Sequence, residues 1–372
     1  MPKKFRTRSA RTISLRRAAL ISAALVIGLA VAAPVSAASP TIRFGVDIGS
    51  VGSCLILWST PGETAKLVWR DANGALKAQA TNESTDGLWF YCPNNLAVAV
   101  GDRLKLTDET STRTFIVPDL SVRLDRVNDT FKGTGPAGRT VRVNYPQGLF
   151  ADVAVTHSAR VGQDGKWSFH PTNFDIMGGL WATVTWRSPN DDRVTASGVA
   201  PNITVTLDKP RFFGYARPNS DVEVTLDDGG PIALGSAASD LDGRYEGRFR
   251  EGDGDLRPVA AGDHLYAVGL ASDADWIVPE IDGAANAGTD VVSGRCHDAG
   301  TSANFAIIDV FRTGDKRGYV FASLEANGSF EIDFQEVGHF YADPVNIRHG
   351  DKIVVRCLQV TGDWVQLQFL AP

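Results

Sequence analysis

The residues Asp86-Gly-Leu-Trp89 return 78 positions later as Asp164-Gly-Lys-Trp167, and after another 78 positions as Asp242-Gly-Arg-Tyr245. A looser copy, Asn327-Gly-Ser-Phe330, follows 85 residues further on. A fixed period of this length indicates one structural unit that is built repeatedly along the chain. The sequence therefore predicts four similar modules, an organisation that disfavours a single catalytic domain.

Two further markers repeat in step with these tetrapeptides. Prolines that are followed two positions later by an aliphatic residue occur at Pro40, Pro118, Pro201 and Pro279. A glycine opens an alternating, strand-like run at Gly101, Gly179, Gly262 and Gly350. The order of the three markers predicts modules at residues 38–118, 119–201, 202–279 and 280–372, joined at prolines without a flexible spacer.

Short runs with alternating apolar and polar residues fill each module, as expected for strands with one buried face. The second module shows this pattern at 140–144 and 181–186, and a turn-forming segment rich in Gly occupies 133–138. About seven short strands in fewer than about 100 residues are typical of an immunoglobulin-like antiparallel β-sandwich. We therefore predict an all-β chain, a tandem array of four Ig-like sandwiches that follows a signal peptide.

One aromatic ring ends each repeated tetrapeptide and keeps the same register in every module. These rings are Trp89, Trp167, Tyr245 and Phe330. The Asp-Gly pair before each ring predicts a tight hairpin turn that leads into a strand. We interpret the rings as one core position per sandwich rather than as a platform for sugars, because aromatics at a fixed register usually pack inside.

The first 37 residues have the pattern of a secretory signal peptide. A basic segment that includes Arg16 and Arg17 precedes an apolar run from 18 to 35, and Val35-Ser-Ala37 supplies the small residues of a cleavage site. An uncleaved membrane anchor and a twin-arginine export signal are the alternatives. We predict cleavage near Ala37 and a mature protein that is secreted, extracellular or associated with the cell surface.

The predicted mature chain is acidic. The whole sequence has 37 Lys and Arg against 43 Asp and Glu, and its first 37 residues contain 7 of the basic residues and no acid, so the mature net charge is −13. Such a surface repels phosphate backbones, so nucleic acid is not an expected partner. The mature sequence has no apolar run of about 18 residues, so no membrane span is expected in it. The partner that we expect is a protein or a glycan at a surface.

Four cysteines lie in the first and last modules, at Cys54, Cys92, Cys296 and Cys357. Their wide spacing argues against a zinc site, and export favours disulfides. Four cysteines permit three pairings. Only Cys54–Cys92 together with Cys296–Cys357 keeps each bridge inside one module, and a terminal module, which has a neighbour on one side only, gains most from such a bridge.

Several segments resemble modules of known type. Val117-Pro-Asp-Leu-Ser-Val-Arg-Leu-Asp125 and the later Asp164-Gly-Lys-Trp-Ser-Phe169 resemble the tandem Ig-like repeat modules of bacterial secreted and surface proteins. In the third module, Ser239-Asp-Leu-Asp-Gly-Arg-Tyr245 is similar to the Asp-x-Asp-Gly turn of prealbumin-like modules. The resemblance implies a β-sandwich fold, an external location and a role in adhesion, spacing or accessory binding. It implies no shared active site.

Catalytic motifs are absent from the sequence. The 6 histidines are scattered and form no His-Glu-x-x-His pair. Neither a Gly-x-Ser-x-Gly elbow nor a phosphate-binding glycine loop followed by Lys is present. We therefore predict no catalytic residue, no enzymatic activity and no cofactor.

Longer loops in the third and fourth modules are the places where a local function is expected. In the third module, Asp240, Asp242, Asp253 and Asp255 are candidates for binding Ca²⁺, with a solvated acidic turn as the simpler interpretation. In the fourth module, His339, Phe340 and Tyr341 are candidates for contacting a ligand, with a cover over the end of the sandwich as the simpler interpretation.

These observations predict an exported, non-enzymatic multi-module protein with a structural, adhesive or partner-binding role at or outside the cell surface. An accessory carbohydrate-binding protein is the alternative, and it requires a pair of exposed, coplanar aromatic side chains. A hydrolase with an unrecognised motif is the third hypothesis, and it requires a cleft with convergent carboxylates or histidines.

Overall fold

The computed structural model describes residues 42–49, 54–83, 85–93, 96–146, 154–270, 274–297, 305–335, 345–359 and 361–372. In these residues the chain forms 28 β-strands and no helix. The described part of the chain accordingly offers no helix with the length and apolar character needed to cross a membrane. The predicted signal peptide, residues 1–37, lies outside the described residues.

The strands fall into four sets of seven. The first set is β1 (Arg43–Ile48), β2 (Leu55–Trp58), β3 (Thr64–Arg70), β4 (Leu76–Glu83), β5 (Leu88–Tyr91), β6 (Arg103–Thr107) and β7 (Thr112–Ile116). The second set is β8 (Arg123–Asp125), β9 (Thr130–Thr134), β10 (Thr140–Pro146), β11 (Ala154–Arg160), β12 (Lys166–Phe169), β13 (Trp181–Arg187) and β14 (Arg193–Val199). The third set is β15 (Asn202–Thr206), β16 (Arg211–Tyr215), β17 (Asp221–Asp227), β18 (Ala233–Ala238), β19 (Arg244–Arg248), β20 (His264–Val268) and β21 (Ala274–Ile277). The fourth set is β22 (Ile281–Asn286), β23 (Val291–Cys296), β24 (Phe305–Arg312), β25 (Asp315–Ser323), β26 (Ser329–Asp333), β27 (Lys352–Leu358) and β28 (Trp364–Leu370).

Each set builds one sandwich by the same rule. In the first set, β1, β2 and β5 lie together in one sheet, and β4, β3, β6 and β7 form the other. Strands at the corresponding places pair in the same way in the other three sets. All pairings inside a set are antiparallel. The predicted all-β array of four Ig-like sandwiches is confirmed, and we call the sandwiches modules 1 to 4; their limits at single residues stay a prediction.

Strands of different modules also pair, which the sequence did not predict. β1 of module 1 lies parallel to β14 of module 2, and β15 of module 3 lies parallel to β28 of module 4. Modules 1 and 2 therefore share a seven-stranded sheet, sheet I, with the order β11-β10-β13-β14-β1-β2-β5. Modules 3 and 4 share a second seven-stranded sheet, sheet II, with the order β19-β16-β15-β28-β27-β24-β25.

One hydrophobic cluster lies under each shared sheet. The cluster under sheet I contains buried side chains of modules 1 and 2, and the cluster under sheet II contains those of modules 3 and 4. Val46 of β1 and Val194 of β14 are register partners and both are buried, so the two cores lie on the same side of sheet I. The opposite side of each sheet, which we call its outer face, is therefore continuous across two modules.

The repeated Asp-Gly turn has one structural role in all four modules. Its glycines, Gly87, Gly165, Gly243 and Gly328, have φ values from 73° to 83°, a region that favours glycine. The carbonyl oxygen of each of these glycines accepts a hydrogen bond from a backbone N–H group of the same module. The donors, in chain order, are Ser59, Gly135, Ala216 and Cys296. The following rings of modules 2, 3 and 4 are buried, and the ring of module 1, Trp89, packs half-buried against the same core. The interpretation of these rings as core residues is confirmed for Trp167, Tyr245 and Phe330, and only in part for the half-buried Trp89.

The glycine that opens the strand-like run of each module is hydrogen-bonded to the backbone near the end of that module. The N–H groups of Gly101, Gly179, Gly262 and Gly350 donate to the carbonyls of Val117, Ala200, Val278 and Ala371, each of which precedes a proline. The aspartates that follow the glycine in modules 1, 3 and 4 are buried and form ion pairs: Asp102 with Lys77, Asp263 with Arg257 and Asp351 with Arg312. Module 2 replaces the aspartate with the buried Leu180.

Two disulfides, Cys54–Cys92 and Cys296–Cys357, each stay inside one module. Cys54 precedes β2 and Cys92 follows β5, so the first bridge joins the ends of two neighbouring strands of sheet I. Cys296 ends β23 and Cys357 lies on β27, so the second bridge joins the two facing sheets of module 4.

Candidate functional site

A buried aspartate stands where β1 meets β14. Asp192, in the turn between β13 and β14, is 1% exposed. Its Oδ1 accepts the N–H of Phe44 at 3.1 Å, and Nη1 of Arg113 donates to the same oxygen at 2.8 Å. The hydroxyl of Ser188 donates to Oδ2 at 2.7 Å. One carboxylate of module 2 thus binds both the backbone and a side chain of module 1.

Sheet II repeats this junction. Asp363, in the turn between β27 and β28, is fully buried, and its Oδ1 accepts the N–H of Ile203 at 2.9 Å. Nη1 of Arg126 donates to Oδ1 at 3.0 Å, and the hydroxyl of Thr361 donates to Oδ2 at 2.7 Å. Because Arg126 belongs to module 2 and Ile203 to module 3, this carboxylate of module 4 joins three modules.

Two glycines let module 2 approach the same junction closely. A Cβ placed on Gly362 would lie 1.9 Å from the backbone nitrogen of Gly178, and Gly362 has a φ of +84°. Beside them, Met177 packs against the buried side chains of Leu358 and Trp364. The close contact between the two backbones therefore requires glycine at position 362.

A cleft of about 530 Å³ opens where modules 1, 2 and 3 meet. The end of β1, strands β8 and β14, and the module 3 turns around Arg217 and Leu241 line it. Clefts of a few hundred Å³ between domains are common ligand sites. The side chain of Leu241 is 52% exposed and gives the wall of the cleft an apolar surface.

Basic side chains outnumber acidic ones on the cleft wall. The basic residues are Arg123, Lys132, Arg217 and Arg244, and the acidic residues are Asp125 and Asp242. Burial raises the pKa of Asp125, but hydrogen bonds from Lys132 and Asn128 outweigh this effect and hold the pKa below its usual value. Nζ of Lys132 lies 2.7 Å from Oδ2 of Asp125. The remaining cations favour an anionic or amphipathic ligand over a cationic one.

The four aspartates proposed for Ca²⁺ do not converge. Asp240 and Asp242 precede β19, whereas Asp253 and Asp255 follow it, so a five-residue strand of roughly 16 Å separates the pairs. Asp240 Oδ1 accepts the N–H of Asp242 at 2.9 Å, and Asp253 Oδ1 accepts the N–H of Asp255 at 3.1 Å. These carboxylates stabilise their own turns. Within the described ranges, no group of three or more His, Cys, Asp or Glu side chains is placed to hold a metal ion.

Two other sequence hypotheses depend on aromatic side chains. His339, Phe340 and Tyr341 lie outside the described residues, so their proposed ligand contact stays a prediction. Among the 8 tryptophans, Trp181 is 49% exposed, Trp69, Trp167 and Trp364 are buried, and the others are half-buried. The stacked pairs Phe44–Phe115, Phe131–Phe169 and Trp167–Phe169 each contain a buried ring, so none of these three is the exposed, coplanar pair that the carbohydrate-binding alternative requires.

Sequence reasoning found neither the junction aspartates nor the cleft. Asp192 and Asp363 bind arginines that lie 79 and 237 positions away, and no local motif connects such residues. One signal was available in the sequence: an aspartate occurs between the last two strands of every module, at Asp108, Asp192, Asp273 and Asp363. Its partners depend on how the modules meet, which the repeat pattern does not specify.

No protein-family model and no curated protein match the chain. A solved tetra-tandem repeat in the extending region of a large adhesion protein is similar at a TM-score of 0.18 and 17% identity, over 89% of this chain and 99% of that chain. A Ca²⁺-stabilised adhesin that helps an Antarctic bacterium bind ice is similar at a TM-score of 0.17 and 14% identity, over 90% and 98%. The BSP domain of a biofilm-associated protein is similar at a TM-score of 0.18 and 8% identity, over 89% and 95%. Similarities of this size assign no role to any residue of this chain.

Proposed function

We propose that this chain is an exported, non-enzymatic multi-module protein with a structural or adhesive role, and that it binds a partner in the cleft between modules 1, 2 and 3. The two disulfides support export, because such bridges persist in oxidising compartments outside the cytoplasm. The repeat architecture supports a scaffold role, since each module is built on the same strand plan.

The observation that carries this proposal is the way buried ion pairs fix the modules around the cleft. Arg113–Asp192 attaches module 1 to module 2, and Arg126–Asp363 attaches module 2 to module 4, beside module 3. Breaking such a pair leaves an uncompensated buried charge, at a cost of about 3–5 kcal/mol. Cleft walls from three modules therefore keep their positions before a partner arrives, which reduces the entropy lost on binding.

The side chains of the cleft favour binding of an anionic, partly apolar surface. Arg123 and Arg217 supply positive charge, while Leu241 and Pro218 supply apolar contact area. Asp125, a carboxylate in this wall, is engaged by Lys132 at 2.7 Å. This combination suits a protein segment with acidic and aliphatic residues better than a reacting small molecule.

Export is tested by sequencing the N-terminus of the protein recovered outside the source cells. We expect the mature chain to begin close to residue 38, after the predicted cleavage site. Recovery of the chain only from the cytoplasm, with residues 1–37 still attached, would contradict the proposal.

Partner binding is tested with purified protein and intact source cells, by comparing Leu241→Asp with Leu234→Asp. Leu241 lies in the cleft and is 52% exposed, whereas Leu234 lies on β18 outside it and is 62% exposed, so both variants should fold. Loss of cell-surface binding by Leu241→Asp alone is the expected result, because a carboxylate would replace the apolar contact. Equal binding of both variants would exclude the cleft.

A further inference from the structure

The outer face of sheet I carries a second concave surface within module 2. This shallow groove of about 510 Å³ is lined by eight side chains, all of them polar or charged. Alternation explains its composition, because Val141, Val143 and Val184 point to the core while Arg142 and Thr185 occupy the opposite side. The groove is separate from the cleft described above, with which it shares no residue.

Three arginines lie close together in this groove. Arg187 and Arg193 are direct register partners on β13 and β14, and Arg142 on β10 is opposite Thr185, two positions from Arg187. A strand spacing of about 4.8 Å and a rise of about 3.3 Å per residue put the three Cα atoms within roughly 12 Å of one another. Like charges placed directly opposite each other destabilise a sheet. Opposed arginines also occur at Arg70–Arg103 and at Arg211–Arg248, so the feature that distinguishes this groove is the third arginine, Arg142, beside the opposed pair.

Nearby carboxylates compensate this charge only in part. Asp191 accepts from Arg187 at 3.0 Å and also from Arg43 at 2.9 Å. Partial desolvation raises the pKa of the Asp47 carboxyl although the residue is exposed, and the positive charge of Arg193 opposes that shift, so these two groups are close in space. Arg142 forms no ion pair with an acidic group in the described part of the chain. The groove thus stays basic in a protein whose formal net charge is −6.

Neutral side chains around the arginines offer the hydrogen bonds and the apolar contact that a sugar requires. The groove also contains hydroxyl and amide side chains of Thr140, Asn144, Thr156, Ser158 and Thr185. On the same side of β13, next to the buried Ala182, the ring of Trp181 is 49% exposed. Hydroxyl and amide groups can bond sugar hydroxyls, and an exposed indole gives a sugar ring a flat apolar contact.

We propose that the outer face of sheet I binds an acidic polysaccharide whose carboxylate groups pair with Arg142, Arg187 and Arg193 and whose sugar ring packs on Trp181. The planar guanidinium groups suit carboxylates because each can donate two parallel hydrogen bonds. The hydroxyl and amide lining orients the neutral part of the polymer. This inference names a partner class for an external protein, and so rests on the proposed export, but it does not depend on the cleft.

The test measures binding of the purified protein to immobilised polygalacturonate at low salt. We expect the triple variant Arg142→Gln, Arg187→Gln, Arg193→Gln to lose affinity by about tenfold or more, since three charge-assisted contacts are removed. The matched control is Arg103→Gln, Arg248→Gln, Arg317→Gln, which removes the same charge from exposed positions elsewhere and should change affinity less than about twofold.

Two further measurements separate the alternatives. Trp181→Ala should weaken polygalacturonate binding several-fold and leave any binding of linear polyphosphate unchanged. Equal affinity for polyphosphate, duplex DNA and polygalacturonate, or full binding by the groove variant, would overturn the proposal. Leu241→Asp should bind polygalacturonate normally, so a failure of the cleft hypothesis and a failure of this one give different results.

Discussion

Sheets I and II follow one strand plan, but their outer faces differ. At the parallel junction of sheet I, Asp47 is opposite Thr195, and at the same place in sheet II, Thr206 is opposite Gln366. Asp47 is exposed and Thr195 is half-buried, whereas Thr206 and Gln366 are only 1% and 3% exposed. With the same backbone pairing, the outer face is therefore exposed at the junction of sheet I and buried at the junction of sheet II.

Sheet II compensates the burial of its polar groups. Gln366 Nε2 donates to the hydroxyl of Thr206 at 2.7 Å. On β24, the fully buried Asp309 forms ion pairs with Lys316 at 2.6 Å and with Arg356 at 2.5 Å. Sheet I leaves its arginines exposed instead. Side chains, and not the strand plan, therefore decide whether an outer face becomes an internal contact or an exposed surface.

The largest expected effect tests the two junction aspartates against each other. Asp363→Ala should lower the free energy of unfolding by about 3–5 kcal/mol, because Arg126 is left charged and buried. Asp192→Ala should cost less, since the side chain of its partner Arg113 is 19% exposed against 6% for Arg126. Urea unfolding measures both values. A smaller loss of unfolding free energy for Asp363→Ala than for Asp192→Ala would contradict the conclusion that the junction at Asp363 is the more deeply buried of the two.

The disulfides offer a second comparison between the ends of the chain. Replacing either pair by Ser should cost about 4 kcal/mol, slightly more for Cys296–Cys357 because its loop spans 61 positions against 38. Cys296 and Cys357 are 2% and 0% exposed, whereas Cys92 is exposed. Under native conditions a mild reductant should therefore open Cys54–Cys92 first, as alkylation followed by peptide mapping would reveal. Simultaneous opening of both bridges would argue against this order.

A third variant pair compares the outer faces directly. Gln366→Ala should destabilise by about 1–3 kcal/mol, since the hydroxyl of Thr206 loses a buried partner. Thr195→Ala, at the corresponding place in sheet I, should change stability by less than about 0.5 kcal/mol because water can replace its hydrogen bond. Thermal unfolding of the two variants gives the comparison, and equal losses would mean that the outer face of sheet I is also covered.

The smallest effect concerns Asp108, the hairpin aspartate of module 1. Burial alone raises the pKa of Asp108, but hydrogen bonds from Thr60 and Ser111 outweigh it and lower the pKa to about 2. A depressed pKa gives stability that is present above the usual pKa near 4 and is lost as the pH falls toward 2. Between those pH values the wild type should lose on the order of 1 kcal/mol relative to Asp108→Asn, after allowance for screening by solvent. The exposed neighbour Glu109→Gln serves as the control.

The repeat in the sequence was sufficient to predict most of each module. Asp-Gly-x-aromatic could be assigned to a turn and a core ring because both depend on local backbone geometry and on side chains a few residues apart. The bridge partners of Cys54 and Cys296 were predictable because a module-sized loop limits the choice. The arrangement of the candidate Ca²⁺ ligands was not predictable, since Asp240 and Asp253 belong to one acidic stretch of the sequence yet lie at opposite ends of β19.

The sequence by itself determined the all-β class, the four-fold repetition and the core register, because period-two alternation and turn residues act over short distances. Only the tertiary structure decided which strands of different modules pair, that Asp192 and Asp363 bind arginines of other modules, and that three modules enclose a cleft. Those contacts join residues up to 237 positions apart. They depend on the relative placement of whole modules, for which a repeated local pattern carries no information.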